Sequence, residues 1–304
     1  MPGERGLHGW LVIDKPLGLT SHGVVAHIRR RTGAKVGHAG TLDPLATGVL
    51  PVALGEATKT VAYAMNGRKR YRFRIRWGIA STTDDGEGEI IGESEARPDP
   101  AAFEATLSRF LGVTAQRPPV YSAIKIGGRR AYALARAETP PSLAPRMIEI
   151  AELRLIATLD RDHAEFEAVV GKGTYIRALA RDLAAALGTC GHVVALRRLS
   201  VGRFTLSQAI SLESVDDWQH ILTTCGCLLP IETALDGIPA LGLAAAEADR
   251  LRCGQRVRPA DPDEWAQLDR LGSGVVVGAW HDHGLIGLAR IEDGALRPLR
   301  VINC

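Results

Sequence analysis

The sequence predicts an α+β protein, in which a large unit of mixed sheet with flanking helices precedes a small, mainly β unit. The chain has 304 residues, more than one hydrophobic core usually supports. Residues 71–77 alternate strictly between apolar and arginine side chains, the pattern of a strand with one buried face. After Pro230 the pattern changes to a short helix and three short strands, which indicates a separate module.

The first predicted element is an apolar strand at residues 10–14, ended by Pro16 and Gly18. Thr20 and Ser21 can then cap an amphipathic helix that Gly33 terminates. Residues 37–50 contain several glycines and a proline, so we expect a shaped loop there and no regular element.

The middle of the chain predicts a helix over residues 98–111 and paired strands over 149–159 and 164–170. A further helix begins near Thr174 and ends at Gly188, with Tyr175 and Arg177 in its first turn. Residues 125–145 are basic and contain three prolines in their second half, which predicts a projecting surface segment. In the last unit, residues 244–252 predict a helix and residues 275–280, 285–291 and 296–301 predict strands.

The composition is that of an ordinary globular protein, with 46% hydrophobic and 23% charged residues. The sequence begins without the apolar stretch of a signal peptide and contains no run of 18 apolar residues. We therefore expect a cytoplasmic protein without membrane spans. Five cysteines without regular spacing predict reduced thiols and no structural disulfide. The pairs Cys225/Cys227 and His281/His283 each lack a second pair at ligand spacing, so we expect no metal site.

The charge distribution is more informative than the net charge of +3. Residues 68–76 carry six positive charges, whereas residues 84–95 carry six acidic ones. The basic side could follow a phosphate backbone, which makes nucleic acid one candidate partner.

The densest motif is GHAGTLDPLATGVL at residues 37–50. An aspartate in such a segment can be presented to a ligand, although a lone Asp-Pro more commonly caps a turn. The whole motif resembles the active site of the tRNA pseudouridine(55) synthase family, in which the aspartate at the position of Asp43 is catalytic.

Other segments resemble the same family in the same order. They lie at residues 14–21 (DKPLGLTS), 55–59 (GEATK), 69–71 (KRY), 117–125 (RPPVYSAIK) and 172–177 (KGTYIR), so the resemblance extends over about residues 9–210. Asp85 and Tyr121 match supporting positions of the family. Thr82 departs from it, because relatives usually have an aspartate there.

The resemblance implies a pseudouridine-synthase-like fold with a mixed, largely antiparallel sheet, and the isomerisation of uridine to pseudouridine without cofactor or metal. Asp43 would act either by attacking C1′ or by removing the C2′ proton, and the sequence leaves both routes open. Arg177 would be the partner of Asp43 and would favour its charged form.

The remaining site residues also follow from the resemblance. Tyr71 would stack on the uracil and is a candidate to remove the C5 proton, while Tyr175 and Leu196 would line the base pocket. For Leu196, plain core packing is an equal alternative. His38 would fill the space left when the target base is flipped out. The basic residues expected to meet RNA are Lys15, Lys59, Arg70, Lys125, Arg129, Arg130 and Lys172.

The expected domains are a catalytic domain at residues 1–235, including the projecting segment, and a PUA-like RNA-binding domain at 239–304, for which a structural cap is the alternative. The expected partner is the T-stem loop of tRNA, with no obligate protein partner, and the expected state is a monomer. A non-catalytic tRNA-binding or tRNA-folding protein of the same fold is the main alternative. A glycosidase-like hydrolase would need a second positioned carboxylate, for which only Asp85 is available.

Overall fold

A computed structural model describes residues 7–122, 124–137, 142–218, 226–262, 265–266 and 270–304. In chain order its elements are β1 (Gly9–Lys15), α1 (Ser21–Thr32), β2 (Val36–His38), β3 (Ala46–Leu54), α2 (Val61–Ala64), β4 (Lys69–Trp77), β5 (Ile79–Ser81), β6 (Ile90–Glu93), α3 (Phe103–Ser108), β7 (Gly112–Gln116), β8 (Lys125–Ile126), β9 (Arg129–Arg130), α4 (Ala131–Arg136), β10 (Arg146–Thr158), β11 (His163–Val170), α5 (Ile176–Ala186), β12 (Gly191–Val201), β13 (Phe204–Thr205), β14 (Ala209–Ser211), β15 (Ala240–Gly242), α6 (Ala245–Arg252), β16 (Val276–His281), β17 (Gly284–Glu292) and β18 (Ala295–Val301).

The main sheet has ten strands among the described residues, in the order β14-β1-β3-β12-β4-β11-β10-β7, with β13 on β12 and β2 on β3. The β1–β14 and β12–β3 pairs are parallel and the remaining pairs are antiparallel. Strands β15 to β18 form a separate four-stranded sheet. The predicted α+β fold with a mixed, largely antiparallel sheet and a small β-rich end is confirmed.

The local signals in β4 and α1 work as the sequence predicts. Phe73, Ile75 and Trp77 of β4 are buried in the main hydrophobic core. The Thr20 hydroxyl accepts a hydrogen bond from the Gly23 N–H at the start of α1, and Gly33 ends this helix in the left-handed conformation, with φ of 65°.

The expected loop at residues 37–50 is wrong in extent. Only residues 39–45 are irregular, and β3 begins at Ala46 with nearly every residue buried. Its side chains are buried on both faces, Leu50 and Val52 in the main hydrophobic core and Val49 and Ala53 in a second cluster, so its sequence shows no alternation. Gly48 serves close packing inside this strand, since an added Cβ would lie 2.2 Å from the Arg198 carbonyl oxygen.

The helix expected over residues 98–111 is shorter than predicted. Asp99 caps a 3-10 turn at Pro100–Ala102, and α3 then ends at Ser108, before β7 begins at Gly112. The paired strands expected near 149–170 are confirmed as β10 and β11.

The basic segment after residue 124 folds into the β8–β9 hairpin and α4 in its described part. Ile124, Ala131 and Leu143 form a small hydrophobic cluster, and Tyr175 packs against it from the main unit. Residues 138–141 lie outside the described residues, and the extent to which the segment projects stays a prediction.

The four-stranded sheet and α6 enclose a hydrophobic core of their own, which includes Leu251 and Ala289. The chain end nevertheless packs on the large unit. Lys59 Nζ donates to the Val301 carbonyl at 2.7 Å, and the Asn303 N–H donates to Glu56 Oε2 at 2.7 Å. The last strand is therefore fastened to the 3-10 helix that directly follows β3.

The expectation of five reduced thiols is wrong at Cys227, which is disulfide-bonded. Cys190, Cys253 and Cys304 are free. Counting cysteines and spacings detects a framework of several disulfides, but it does not detect a single crosslink. No helix in the described part of the chain is long and apolar enough to cross a membrane.

The outer face of the main sheet is held together by a buried carboxylate. Glu167 of β11 accepts hydrogen bonds from Arg70 at 2.6 Å, Arg154 at 2.8 Å and Arg72 at 3.3 Å. Burial alone would raise the pKa of Glu167, but these three guanidinium groups outweigh it and hold the pKa at about 2.

We predict that Glu167→Gln lowers the free energy of unfolding at neutral pH by about 1 kcal/mol, because three arginines, which are 35–59% exposed and therefore partly screened by solvent, lose their shared charge partner. The ionised Glu167 stabilises the fold above its unfolded pKa of 4.5, and this contribution is lost as the pH falls towards about 2. Urea unfolding of both proteins at neutral pH and near pH 3 measures the effect. A destabilisation that is the same at both pH values would contradict this role for the charge.

Candidate active site

Asp43 lies in the irregular segment between β2 and β3, and its side chain is 38% exposed. The backbone beside it is fixed. Leu42 N–H donates to the buried Ser21 hydroxyl at 2.8 Å, and this hydroxyl donates in turn to the Leu42 carbonyl at 3.1 Å. The Ala46 N–H donates to the Asp43 carbonyl at 3.0 Å. The segment therefore presents one carboxylate to solvent on a rigid backbone.

Arg177 is the direct partner of this carboxylate. It is the second residue of α5, its side chain is only 6% exposed, and its Nε donates to Asp43 Oδ2 at 2.9 Å. Nη1 donates to the Thr83 carbonyl at 2.7 Å, and Nη2 donates to the Tyr121 carbonyl at 2.9 Å. Asp85 Oδ2 lies 3.4 Å from Nη1. One guanidinium thus joins three separate segments of the chain to α5.

Asp85 is buried and fills its acceptor positions locally. Its Oδ1 accepts from the Thr83 hydroxyl at 2.5 Å and from the Glu87 N–H at 3.0 Å. The departure at Thr82 is accommodated here, because the Thr82 hydroxyl accepts from the Glu89 N–H at 3.1 Å. A hydroxyl at this position therefore supplies a hydrogen-bond acceptor to the turn.

Lys15 is close to this loop but does not face solvent. Its side chain is fully buried, and Nζ donates to the carbonyls of Leu19 at 2.6 Å, Pro16 at 2.8 Å and Pro44 at 3.4 Å. Burial lowers the pKa of Lys15 to about 8, and the charge of Asp43 opposes this shift. The expected phosphate contact is wrong for Lys15, because its ammonium group is enclosed and holds the loop instead.

His38 ends β2, beside the irregular segment. Its pKa is lowered from the usual 6.5, first by burial and then by the neighbouring charges of Arg198 and His22. The imidazole is therefore mostly neutral at neutral pH.

Arg198 was not identified from the sequence. It is 1% exposed, its Nε donates to the Val49 carbonyl at 2.7 Å, and its Nη2 donates to the Gly40 carbonyl at 3.0 Å. Arg198 thereby fixes the backbone on both sides of Asp43, at Gly40 and at Val49. Because alternate residues of a strand share a face, the position of Arg198 two residues after Leu196 could have indicated that it lies beside the same region.

Tyr71, Leu196 and Tyr175 are each connected to this region through different neighbours. Tyr71 of β4 pairs with Arg198 of β12 and packs partly against the main core. Leu196 is 7% exposed, belongs to the main core and pairs with Ala46 of β3, three residues after Asp43. Its burial is consistent with both expected roles, as core residue and as pocket floor. Tyr175 directly precedes α5, and burial raises its pKa.

The basic residues expected to meet RNA divide into two groups. Lys59 is engaged by Glu56 and the Val301 carbonyl, and Arg70 is engaged by Glu167 and Glu152 on the face of β4 opposite Tyr71. Both cations therefore already have carboxylate partners within the protein, which leaves them less available to phosphates. The other group consists of exposed side chains, Lys125, Arg129 and Lys172, whereas the side chain of Arg130 lies outside the described residues.

Lys172 donates to the Asn66 side chain at 3.0 Å and otherwise stays exposed. No group of three or more His, Cys, Asp or Glu side chains that could hold a metal ion occurs within the described ranges.

Comparison with known families agrees with this arrangement. The family described as "TruB family pseudouridylate synthase (N terminal domain)" matches residues 28–176, and "tRNA pseudouridylate synthase B C-terminal domain" matches residues 177–236. The chain belongs to the TruB family. The predicted family membership is thereby confirmed, and the chain is a pseudouridine synthase, an isomerase.

Similar proteins cover nearly the whole chain. A tRNA pseudouridine synthase B of Rhodospirillum rubrum is 52% identical, over 98% of this chain and 97% of the relative. The protein of the same name from Caulobacter sp. is 48% identical, over 98% of this chain and 96% of the relative.

Two solved structures show the same fold. A Cbf5-Nop10-Gar1 complex contains a chain that is 24% identical, with a TM-score of 0.73, over 97% of this chain and 85% of that chain. An H/ACA RNP bound to a substrate RNA containing 2′-deoxyuridine gives 22% identity and a TM-score of 0.72, with the same shares covered.

We predict that Arg177→Lys slows pseudouridine formation about 100-fold or more in single turnover, because a lysine ammonium cannot hold Asp43 and two carbonyls in one fixed geometry. Arg97→Lys is a matched control, since Arg97 also binds one carboxylate, that of Asp162, and two carbonyls, those of Ser94 and Ala96. A rate within threefold of the parent for Arg177→Lys, by the same order-of-magnitude reasoning, would contradict the role of the guanidinium geometry.

Proposed function

We propose that this chain is a tRNA pseudouridine(55) synthase, which isomerises the T-loop uridine of tRNA with Asp43 as the catalytic carboxylate. The observation that carries the proposal is the half-exposed Asp43 carboxylate held by the buried Arg177 guanidinium. The names of the similar proteins and their near-complete coverage of the chain support tRNA as the substrate.

The reaction is an isomerisation, and its atoms balance within the substrate. The C1′–N1 bond breaks, the detached uracil rotates, and C5 bonds to C1′, after which the C5 proton is removed and N1 is protonated. Asp43 takes part as a carboxylate, either as a nucleophile that bonds to C1′ and leaves when C5 bonds there, or as a base that takes the C2′ proton and returns it when C5 bonds to C1′. Both routes need a carboxylate held in a fixed position, and the Nε donor of Arg177 holds Asp43 Oδ2 at 2.9 Å.

The other site residues take roles on the base. We assign Tyr71 to stacking on the uracil and to removal of the C5 proton, and Tyr175 and Leu196 to the walls of the base pocket. The burial of Leu196 beside Ala46 supports a pocket floor that is continuous with the core. Tyr121 and Asp85 support Arg177 through its Nη atoms.

The target uridine must leave the stacked loop before Asp43 can reach its C1′ atom. We assign His38 to the space that it vacates. A neutral imidazole suits that position, because an uncharged ring stacks between bases without bringing a buried charge. The lowered pKa of His38 supports this assignment.

Contacts outside the pocket involve the exposed cations Lys125, Arg129 and Lys172, together with Arg130, and the PUA-like unit at residues 239–304. Lys15, Lys59 and Arg70 are left out of this surface because their charges are engaged within the protein. We propose that the enzyme acts on tRNA as a monomer without an obligate protein partner, in the cytoplasm, where its substrate is found.

A non-catalytic tRNA-binding or tRNA-folding protein would need neither the Asp43 carboxylate nor its pairing with Arg177. The expected effect of Asp43→Asn separates the two functions. We predict that this substitution abolishes pseudouridine formation and leaves tRNA affinity within about tenfold, because it keeps the shape and removes the charge.

The measurement is pseudouridine mapping on tRNA treated with each purified protein, together with a binding titration. Asp99→Asn is the matched control, because Asp99 caps the 3-10 turn before α3. Multiple turnover by pure Asp43→Asn protein would contradict the assignment of Asp43 as the catalytic carboxylate. Unmodified tRNA after treatment with the parent protein would favour the non-catalytic function.

Ending the chain at residue 235 tests the proposed domain division. We predict that tRNA affinity falls about tenfold and depends less steeply on salt, while single-turnover chemistry at saturating tRNA stays measurable. The proposed catalytic residues all lie before residue 200, but the contacts of Lys59 and Glu56 with the chain end are lost. If a truncated protein melts cooperatively yet forms no product at saturation, the last unit helps to build the active site.

A further inference from the structure

Gln116 makes an unusual contact beside the active site. It is the last residue of β7, at the edge of the main sheet, and it is 4% exposed. Its side-chain Nε2 donates to the Tyr175 carbonyl at 3.1 Å, and its Oε1 accepts from the Tyr175 N–H at 2.9 Å. One side-chain amide therefore binds both backbone groups of a residue 59 positions away, as a neighbouring strand would.

Tyr175 is the residue whose position decides where α5 begins. Its backbone is extended, with φ of −105° and ψ of 115°, and its own side chain makes no cap hydrogen bond. The Tyr175 carbonyl also accepts the first helical hydrogen bond, from the Leu179 N–H at 3.0 Å. Through the backbone of Tyr175, Gln116 thus ties the start of the helix to the edge of the sheet.

The chain after Gln116 continues along the same helix. The Arg117 carbonyl accepts from Arg181 at 2.8 Å, and the Tyr121 carbonyl accepts from Arg177 at 2.9 Å. Residues 116–121 therefore contact α5 at three places, and the Gln116 amide is the contact nearest to the helix start. Arg177 follows Tyr175 by two residues, so a shift at Tyr175 moves the guanidinium that holds Asp43.

We propose that Gln116 is a positioning residue for catalysis, which places Tyr175 and Arg177 against Asp43 through its two hydrogen bonds to the Tyr175 backbone. The proposal rests on the proposed function of this site. Both hydrogen bonds of the Gln116 side-chain amide go to the Tyr175 backbone and not to Asp43, so Gln116 acts on the chemical step and leaves tRNA affinity unchanged. A displacement of about 1 Å in a catalytic group can slow a reaction about 100-fold.

Gln116→Met keeps the length of the side chain and removes both hydrogen bonds. We expect the single-turnover rate at saturating tRNA to fall at least about tenfold, with tRNA affinity unchanged within about threefold. Gln208→Met is the matched control, because the Gln208 Oε1 also accepts a backbone hydrogen bond, from the Thr205 N–H, but at a 3-10 turn after β13. Its rate should equal that of the parent.

Gln116→Glu provides a readout that a merely structural role would not move. A protonated glutamic acid can donate to the Tyr175 carbonyl and accept from its N–H, as glutamine does, whereas the ionised form offers only acceptors. Burial raises the pKa of a carboxyl group, so this switch falls in an accessible range. The rate of Gln116→Glu relative to the parent should rise about fivefold or more between about pH 8 and about pH 6, while that of Gln116→Met stays flat.

The assay is tritium release from tRNA labelled at C5 of uridine, on full-length proteins that melt cooperatively. A pH-dependent recovery in Gln116→Glu, with a flat Gln116→Met, supports the proposal. It is overturned if Gln116→Met reacts as fast as the parent, if its loss lies in affinity alone, or if Gln116→Glu shows no recovery at low pH. If the parent protein itself releases no tritium, the proposed function fails instead. If both variants unfold, measurement of Gln116→Asn, which keeps the amide but shortens its reach, decides: a fully active protein with that change contradicts the proposal.

Discussion

The Arg177 guanidinium is the interaction on which the arrangement of the site depends. Asp43, Thr83 with Asp85, and Tyr121 come from three segments that share no strand or helix, and each meets a different part of this one side chain. A guanidinium suits such a hub, because its five donors lie in one plane and its charge is permanent. With 6% exposure, it is shielded from competing water. The Asp43 carboxylate that it holds remains 38% exposed, so the carboxylate is fixed in position and still open to substrate.

Buried cations surround the catalytic segment on its inner side. Arg198 binds the Gly40 and Val49 carbonyls, and Lys15 binds three carbonyls in the loops beside Asp43. Enclosing such charges costs stability, as the lowered pKa of Lys15 indicates. In return, the backbone of residues 39–45 is fixed by side chains, without regular secondary structure.

Local sequence signals predicted the elements whose ends or faces are set by neighbours in the sequence. The caps of α1 and the alternation in β4 are examples. The resemblance of the collinear motifs to the family also predicted that Arg177 pairs with Asp43, as the structure shows. The extent of β3 was mispredicted, because its two faces are buried in two different core clusters, which leaves no alternation in the sequence.

Residue roles that arise from distant contacts were beyond sequence reasoning. Lys15 and Lys59 belong to the family motifs and were expected to bind phosphates. In the folded chain Lys15 is fully buried, and Lys59 binds the Val301 carbonyl near the chain end. Gln116 ends an ordinary strand, and its contact with Tyr175 spans 59 residues. The disulfide at Cys227 left no spacing pattern to read.

A double-mutant cycle on the single-turnover rate tests most directly whether Arg177 organises the site. Asp85 meets the guanidinium at Nη1 and makes its other contacts within its own turn. If Asp85 acts through Arg177, combining Asp85→Asn with Arg177→Lys should be no slower than Arg177→Lys alone, within about threefold. If the two losses multiply, Asp85 and Arg177 contribute independently, and the account of a single organising guanidinium is contradicted.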